Sequence, residues 1–104
     1  MELKFTVRNI REIEQKSGKS IYHMVAGMRV SDLLLFIEKG LGMGKTEMDA
    51  ENVFQSELES GKSSIQIWQN VQNILIADRF LESNGATQEV TPEQREQAMK
   101  AMGM

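Results

Sequence analysis

The chain has 104 residues, 40% hydrophobic and 26% charged, which describes one small globular domain rather than a disordered segment. Lys and Arg number 12 against 15 Asp and Glu, a formal net charge of −3, and that balance argues against sequence-independent binding to nucleic acid or anionic membranes. No cysteine is present, so disulfide scaffolds, thiol catalysis and cysteine-based zinc sites are excluded.

The opening residues, Met1 to Phe5, lack the apolar stretch of a signal peptide. The longest apolar run, Leu33 to Ile37, is far shorter than the roughly 20 residues of a membrane-spanning helix. A cytoplasmic protein with no membrane partner is therefore expected. Residues Leu3 to Val7 alternate apolar and polar, which admits a short N-terminal strand. Val7 to Ser17 reads as a helix, with Val7, Ile10, Ile13 and Ser17 on one stripe and Gly18 as its stop. Ser20 caps a short second helix, Ile21 to Ala26, ending at Gly27. Ser31 opens a third, with Asp32 in its first turn and Gly40 at its end.

Gly40 to Gly44 reads as a flexible connector. Asp49 is the expected cap of a fourth helix, Ala50 to Ser60, whose apolar side is Val53, Phe54 and Leu58. The longest helix runs from Ile65 to about Ser83, where Asn84-Gly85 stops it. Farther on, Thr91-Pro92-Glu93-Gln94 has the form of a capping box for a short terminal helix to Ala101. The expected fold class is all-α: a bundle of about five helices over residues 1–84, then a polar, Met- and Gln-rich tail over 85–104 that is partly disordered or one short helix.

Ser63 to Ala77 carries no charged side chain. Wound at roughly 100° per residue, Ile67, Trp68, Val71, Ile74, Leu75 and Leu81 share one arc, interrupted by Asp78. Ile65, Ile76 and Phe80 fall on a second strip roughly opposite, flanked by Gln69 and Asn73. Such a helix is either buried on both sides by its own domain or covered on its second strip by another chain. Apolar anchors ringed by uncharged amides suit an interface, and the amides exclude lipid. Eight methionines add adaptable side chains. Met24, Met28, Met43 and Met48 surround the connector, and Met99, Met102 and Met104 lie at the end. The candidate partner-binding residues are Ile65, Gln69, Asn73, Ile76, Phe80, Met43 and Met48.

Other motifs carry less. Gly40 to Thr46 imitates a phosphate-binding loop, but position 39 is Lys39 where that motif requires its first glycine. Gly18 to Glu38 can be laid on a helix-turn-helix, which gives the alternative reading of a small acidic helical DNA-binding or transcription-regulating protein. Its would-be recognition helix, however, offers Asp32, Leu33, Leu34, Leu35 and Phe36, which is acidic and apolar where donors to bases and phosphates are needed. His23 is the only histidine, so no imidazole cluster holds a metal. Glu12, Glu14, Glu57 and Glu59 lie on charge-rich helices, and Glu57 and Glu59 point to different faces. No nucleophile–base pair, cofactor site or metal site is nominated, and an enzyme is not expected.

Three segments together resemble the tail assembly chaperones of long-tailed bacteriophages, in particular those of phages and prophages of Gram-positive bacteria. They are Phe5-Thr6-Val7-Arg8-Asn9-Ile10-Arg11-Glu12-Ile13-Glu14, Ser17-Gly18-Lys19-Ser20-Ile21, and Asp32 through Leu41. The likeness continues through Asp49, the acidic fourth helix and Ile67-Trp68, and covers roughly residues 5–83. It implies a small helical protein that coats the long apolar tape measure protein, keeps it soluble in the host cytoplasm, helps recruit tail tube subunits, and is absent from the mature virion. In many members a ribosomal frameshift appends a second domain. Repeated contacts along one client favour self-association. The family defines no catalytic residues.

Overall fold

Among the described residues five helices follow one another: α1 (Val7–Ser17), α2 (Ile21–Gly27), α3 (Val30–Leu41), α4 (Glu47–Glu59) and α5 (Ser64–Ala77). The structure, a computed structural model, describes residues 1–82. The expected terminal helix and tail, and the stop at Asn84-Gly85, lie outside the described residues. The all-α architecture expected from the sequence is the one observed.

Three helices begin in the same way. Thr6, Thr46 and Ser63 each accept the backbone N–H three residues on, while Asn9, Asp49 and Gln66 reach back to the cap N–H. Two otherwise orphaned donors are satisfied at each start. Asp49 is therefore the third residue of α4 rather than its cap, and the helix begins earlier, at Glu47, because Thr46 supplies the capping oxygen.

Gly18 closes α1 in the left-handed conformation, φ 72°, as the sequence predicts. At α2 the expectation fails by one residue: Gly27 is still helical and Met28 takes the left-handed cap, φ 51°. α3 starts at Val30 after an Arg29 cap with no side-chain hydrogen bond. Ser31 is thus helical, and Asp32 is engaged elsewhere, accepting from Lys19 Nζ at 2.9 Å.

Gly40 is not a stop. It lies inside α3 and is buried, and the connector is only Gly42 to Lys45. The reason is close packing. The N-terminal segment passes over the end of α3, where Lys4 N–H donates to Gly40 C=O at 2.9 Å. A Cβ on Gly40 would stand 3.0 Å from Leu3 Cβ and 3.1 Å from the Phe5 ring. This crossing also corrects the expected strand. Leu3 and Phe5 do face inward and Lys4 outward, but the partner is a helix terminus, so the alternation reports burial without a sheet.

Gly40→Ala is accordingly expected to destabilise the protein by about 1–3 kcal/mol through overpacking, outweighing the roughly 1 kcal/mol that alanine gains in a helix interior. Urea unfolding checks it; unchanged or higher stability would mean that the N-terminal segment is not seated on α3.

α3 is the central helix and packs against α1, α4 and α5. Leu33, Phe36 and Ile37 are fully buried. Phe36 makes edge-on contacts with Phe5 (ring centroids 5.9 Å apart) and with Trp68 on α5 (5.6 Å). The core-facing arc of α5 is as expected, with Ile67, Trp68, Val71 and Leu75 buried and Ile74 and Leu81 packed against them.

Candidate partner-binding surfaces

α5 is the longest helix among the described residues, but it ends at Ala77 rather than near Ser83. Asp78, which interrupts the apolar arc in the sequence, is where the chain turns away. Its Oδ2 accepts the backbone N–H of Phe5 at 2.8 Å and its Oδ1 accepts from Lys4 Nζ at 3.3 Å. A carboxylate at a helix C-terminus opposes the helix dipole; the two donors offset that. Arg79 then adopts φ 73°, and the chain continues as turns.

The candidate strip therefore divides. Ile65 is 57% exposed in the first turn of α5, and Gln69 and Asn73 are exposed beyond it. Ile76 is half-buried and lies outside the group packed on the core. Phe80 is past the helix end, packs against the core, and its carbonyl faces the Tyr22 hydroxyl at 3.4 Å. Phe80 is thus structural, because the early end of α5 folds it back.

The methionines divide as well. Met24 is fully buried, whereas Met43 and Met48 are 89% and 67% exposed. Met43 lines a groove of about 510 Å³ with Lys4, Arg8, Lys39 and Lys45. Ile65 begins the opposite end of α5 from Asp78, the residue that Lys4 contacts. At about 1.5 Å per residue, Ile65 and Ile76 are roughly 16 Å apart, so the seven candidates do not form one site.

The sequence reading missed a surface between α3 and α4. Val30, Leu34, Phe54 and Leu58 line a groove of about 400 Å³ with Glu51 and Gln55. Leu34 and Glu51 are shared with an adjoining cavity of about 240 Å³ that includes Lys16, Leu35, Glu38 and Glu47. Val30 is 51% exposed. The surface is apolar at its centre; of the acids around it Glu47 pairs with Lys16, buried Glu38 pairs with Lys39, and Glu51 is exposed. A signal for it exists in the sequence: the run Leu33 to Ile37 turns through about 400° on a helix, so Leu34 and Leu35 cannot share the core face of Leu33, Phe36 and Ile37.

Three carboxylates are held below their ordinary pKa range. For Asp78 the main cause is the Phe5 N–H, opposed by burial and helped by Lys4. For Asp49 it is the Thr46 backbone N–H, and for Glu57 it is the Lys62 ammonium, 2.8 Å away. Each of these contacts is structural, because the donor is a neighbouring backbone or surface group of the same domain. No group of three or more His, Cys, Asp or Glu that could hold a metal occurs among the described residues. No helix among them is long and apolar enough to cross a membrane.

α3 does not have the exposure of a recognition helix: Asp32, Leu33, Phe36, Ile37, Glu38 and Gly40 are all buried. What it leaves to solvent, Val30, Ser31 and the edges of Leu34, Leu35, Lys39 and Leu41, offers a nucleic acid a single cation, Lys39, which already pairs with Glu38. Compared with known protein families, with curated proteins and with solved structures, the chain matches none.

Proposed function

We propose that the protein is a phage tail assembly chaperone that binds and solubilises the tape measure protein, helps recruit tail tube subunits, and contacts other copies of itself. The reading starts from the resemblance of residues 5–83. The observation that supports it is the charge-free helix α5, which leaves Ile65 in solvent beside Gln69 and Asn73. An apolar helical client would cover Ile65, and a fully buried aliphatic side chain contributes about 1.5–3 kcal/mol. One such contact is weak; many copies along one client give avidity. Exposed Met43 and Met48 supply further adaptable contacts, and the net charge of −3 keeps the coated client in solution.

Co-expression with a tape measure fragment tests this. The wild-type chain is expected to hold the fragment in the soluble fraction. Ile65→Asp with Ile76→Asp is expected to fold, with unchanged helical circular dichroism, and to leave the fragment insoluble. Loss of helicity would assign Ile76 to the core. A fragment that stays insoluble with the wild-type chain would sink the reading.

A further inference from the structure

On the outer side of α5, Ile65, Gln69, Gln72 and Ile76 form a row spaced by four, three and four residues, the same in either chain direction. At roughly 100° per residue they lie within about 60° of arc, while Ile67, Trp68, Val71 and Leu75 take the inner side. Ile65 is 57% exposed and Gln69 is exposed, so nothing in the domain overlies them; Gln72 and Ile76 are half-buried. Alternating steps of three and four are the spacing of a coiled-coil seam.

We infer that α5 pairs antiparallel with α5 of a second copy along this row. With the two-fold axis at the level of Asn70 and Val71, Ile65 of each copy meets Ile76 of the other, and Gln69 meets Gln72. The isoleucines cover one another at both ends. Each glutamine carries a donor and an acceptor, so the central amides satisfy their counterparts. Charge does not oppose the contact. Ser63 to Ala77 carries no charged side chain, so two chains of net charge −3 bring no like charges together along the seam. Antiparallel order also sets opposite ends of the helix dipoles side by side, where parallel order would stack like ends.

The extent of the row fixes the strength of the pair. A stable interface takes roughly 20–30 residues a side, and four from one helix fall well short. The central hydrogen bonds add little, since they replace bonds to water. The pair is therefore weak and exchanges readily. It covers the strip assigned above to the client, and in one consequence it rests on that reading: a client helix must displace the second copy, which keeps Ile65 out of water until the client arrives.

Disulfide trapping tests the pairing, and the absence of cysteine from the chain removes any background. Full-length Ile65→Cys and Ile76→Cys are mixed at about 0.1 mM, which reaches weak contacts, oxidised with glutathione disulfide and followed on a non-reducing gel. The mixture is expected to give a covalent dimer, because a disulfide spans Cα atoms roughly 4.4–6.8 Å apart. Each variant alone is expected to stay largely monomeric, its two cysteines lying roughly 16 Å apart along the pair. His23→Cys, exposed on α2, mixed with Ile65→Cys gives the rate of chance collision. Adding Gln69→Lys/Gln72→Lys to both cysteine chains sets cation against cation and should lower the cross-link at least about tenfold. Raising salt from about 0.05 M to about 0.5 M should restore it, which a misfolded chain would not do.

A mixture that cross-links no faster than the His23→Cys control overturns the inference. So does Ile65→Cys alone cross-linking as fast as the mixture, which would mean parallel order, or a lysine variant with intact helical circular dichroism and an unchanged cross-link. An excess of a soluble, chaperone-bound tape measure fragment should suppress the cross-link; a bound fragment that leaves it intact overturns the displacement. A cross-link formed by a chain that leaves the fragment insoluble would sink the chaperone reading and keep the pairing, and a solubilised fragment without any cross-link would do the reverse.

Discussion

Phe36→Ala is expected to cost about 3–5 kcal/mol of folding stability, a large part of the roughly 5–15 kcal/mol that a domain has available. The ring is fully buried on the central helix and contacts Phe5 on one side and Trp68 on the other. Each edge-on pair contributes about 0.5–1.5 kcal/mol beyond the buried area. Truncation therefore removes two aromatic contacts and leaves a cavity where the N-terminal segment, α3 and α5 meet. That junction cannot easily collapse, because Gly40 already holds Leu3 and Phe5 at contact distance. The single tryptophan, Trp68, is 1% exposed, and its fluorescence reports the loss directly during urea titration. A cost below about 1.5 kcal/mol would show that Phe36 does not join these three elements.

What the sequence made legible was local. α1 is bounded where its stripe and Gly18 place it, because both signals act within a few residues. The buried face of α5 follows from its periodicity. What it hid was set by distant partners. Gly40 has the sequence appearance of a helix stop, yet it is glycine because residues more than 30 positions away cross over it. Asp78 reads as a polar break in an apolar arc; its role as the end of α5 depends on Phe5, 73 positions away. Phe80 falls on the partner strip only if α5 continues to Ser83, and the helix ends at Ala77, where this contact holds Asp78.

The candidate surface shows the same division. Ile65, Gln69 and Asn73 are exposed as the charge-free segment suggests. The α3–α4 groove is hidden in the apolar run Leu33 to Ile37, which by itself does not set Leu34 and Leu35 apart from their neighbours. Only the helix geometry separates them from Leu33, Phe36 and Ile37, and only the neighbouring α4 supplies Glu51 and Leu58 to complete the groove.

Acidification is expected to release the N-terminal segment, with Asp78 as the main contributor. Its side chain is 12% exposed, whereas that of Lys4 is 77% exposed. The ion pair is therefore worth little, and the hydrogen bond from the Phe5 N–H carries the interaction. Because that donor favours the charged carboxylate, the folded pKa lies below the unfolded one. Stability from Asp78 is then fully present above the unfolded carboxylate range and is lost as pH falls through the folded value. Asp49 and Glu57, also held low, act in the same direction. The free energy of unfolding should therefore decline between about pH 6 and about pH 3.

Two variants separate the causes. Asp78→Asn keeps an oxygen acceptor for Phe5 but cannot ionise, so it should flatten the acid limb while losing least at neutral pH. Asp78→Ala leaves the buried N–H unpaired and should cost about 1–3 kcal/mol at pH 7. If Asp78→Asn follows the wild-type pH profile unchanged, the titrating group is elsewhere. If Asp78→Ala is neutral, the segment is held by Phe5 and Leu3 packing alone, and the end of α5 must be explained by the turn at Arg79.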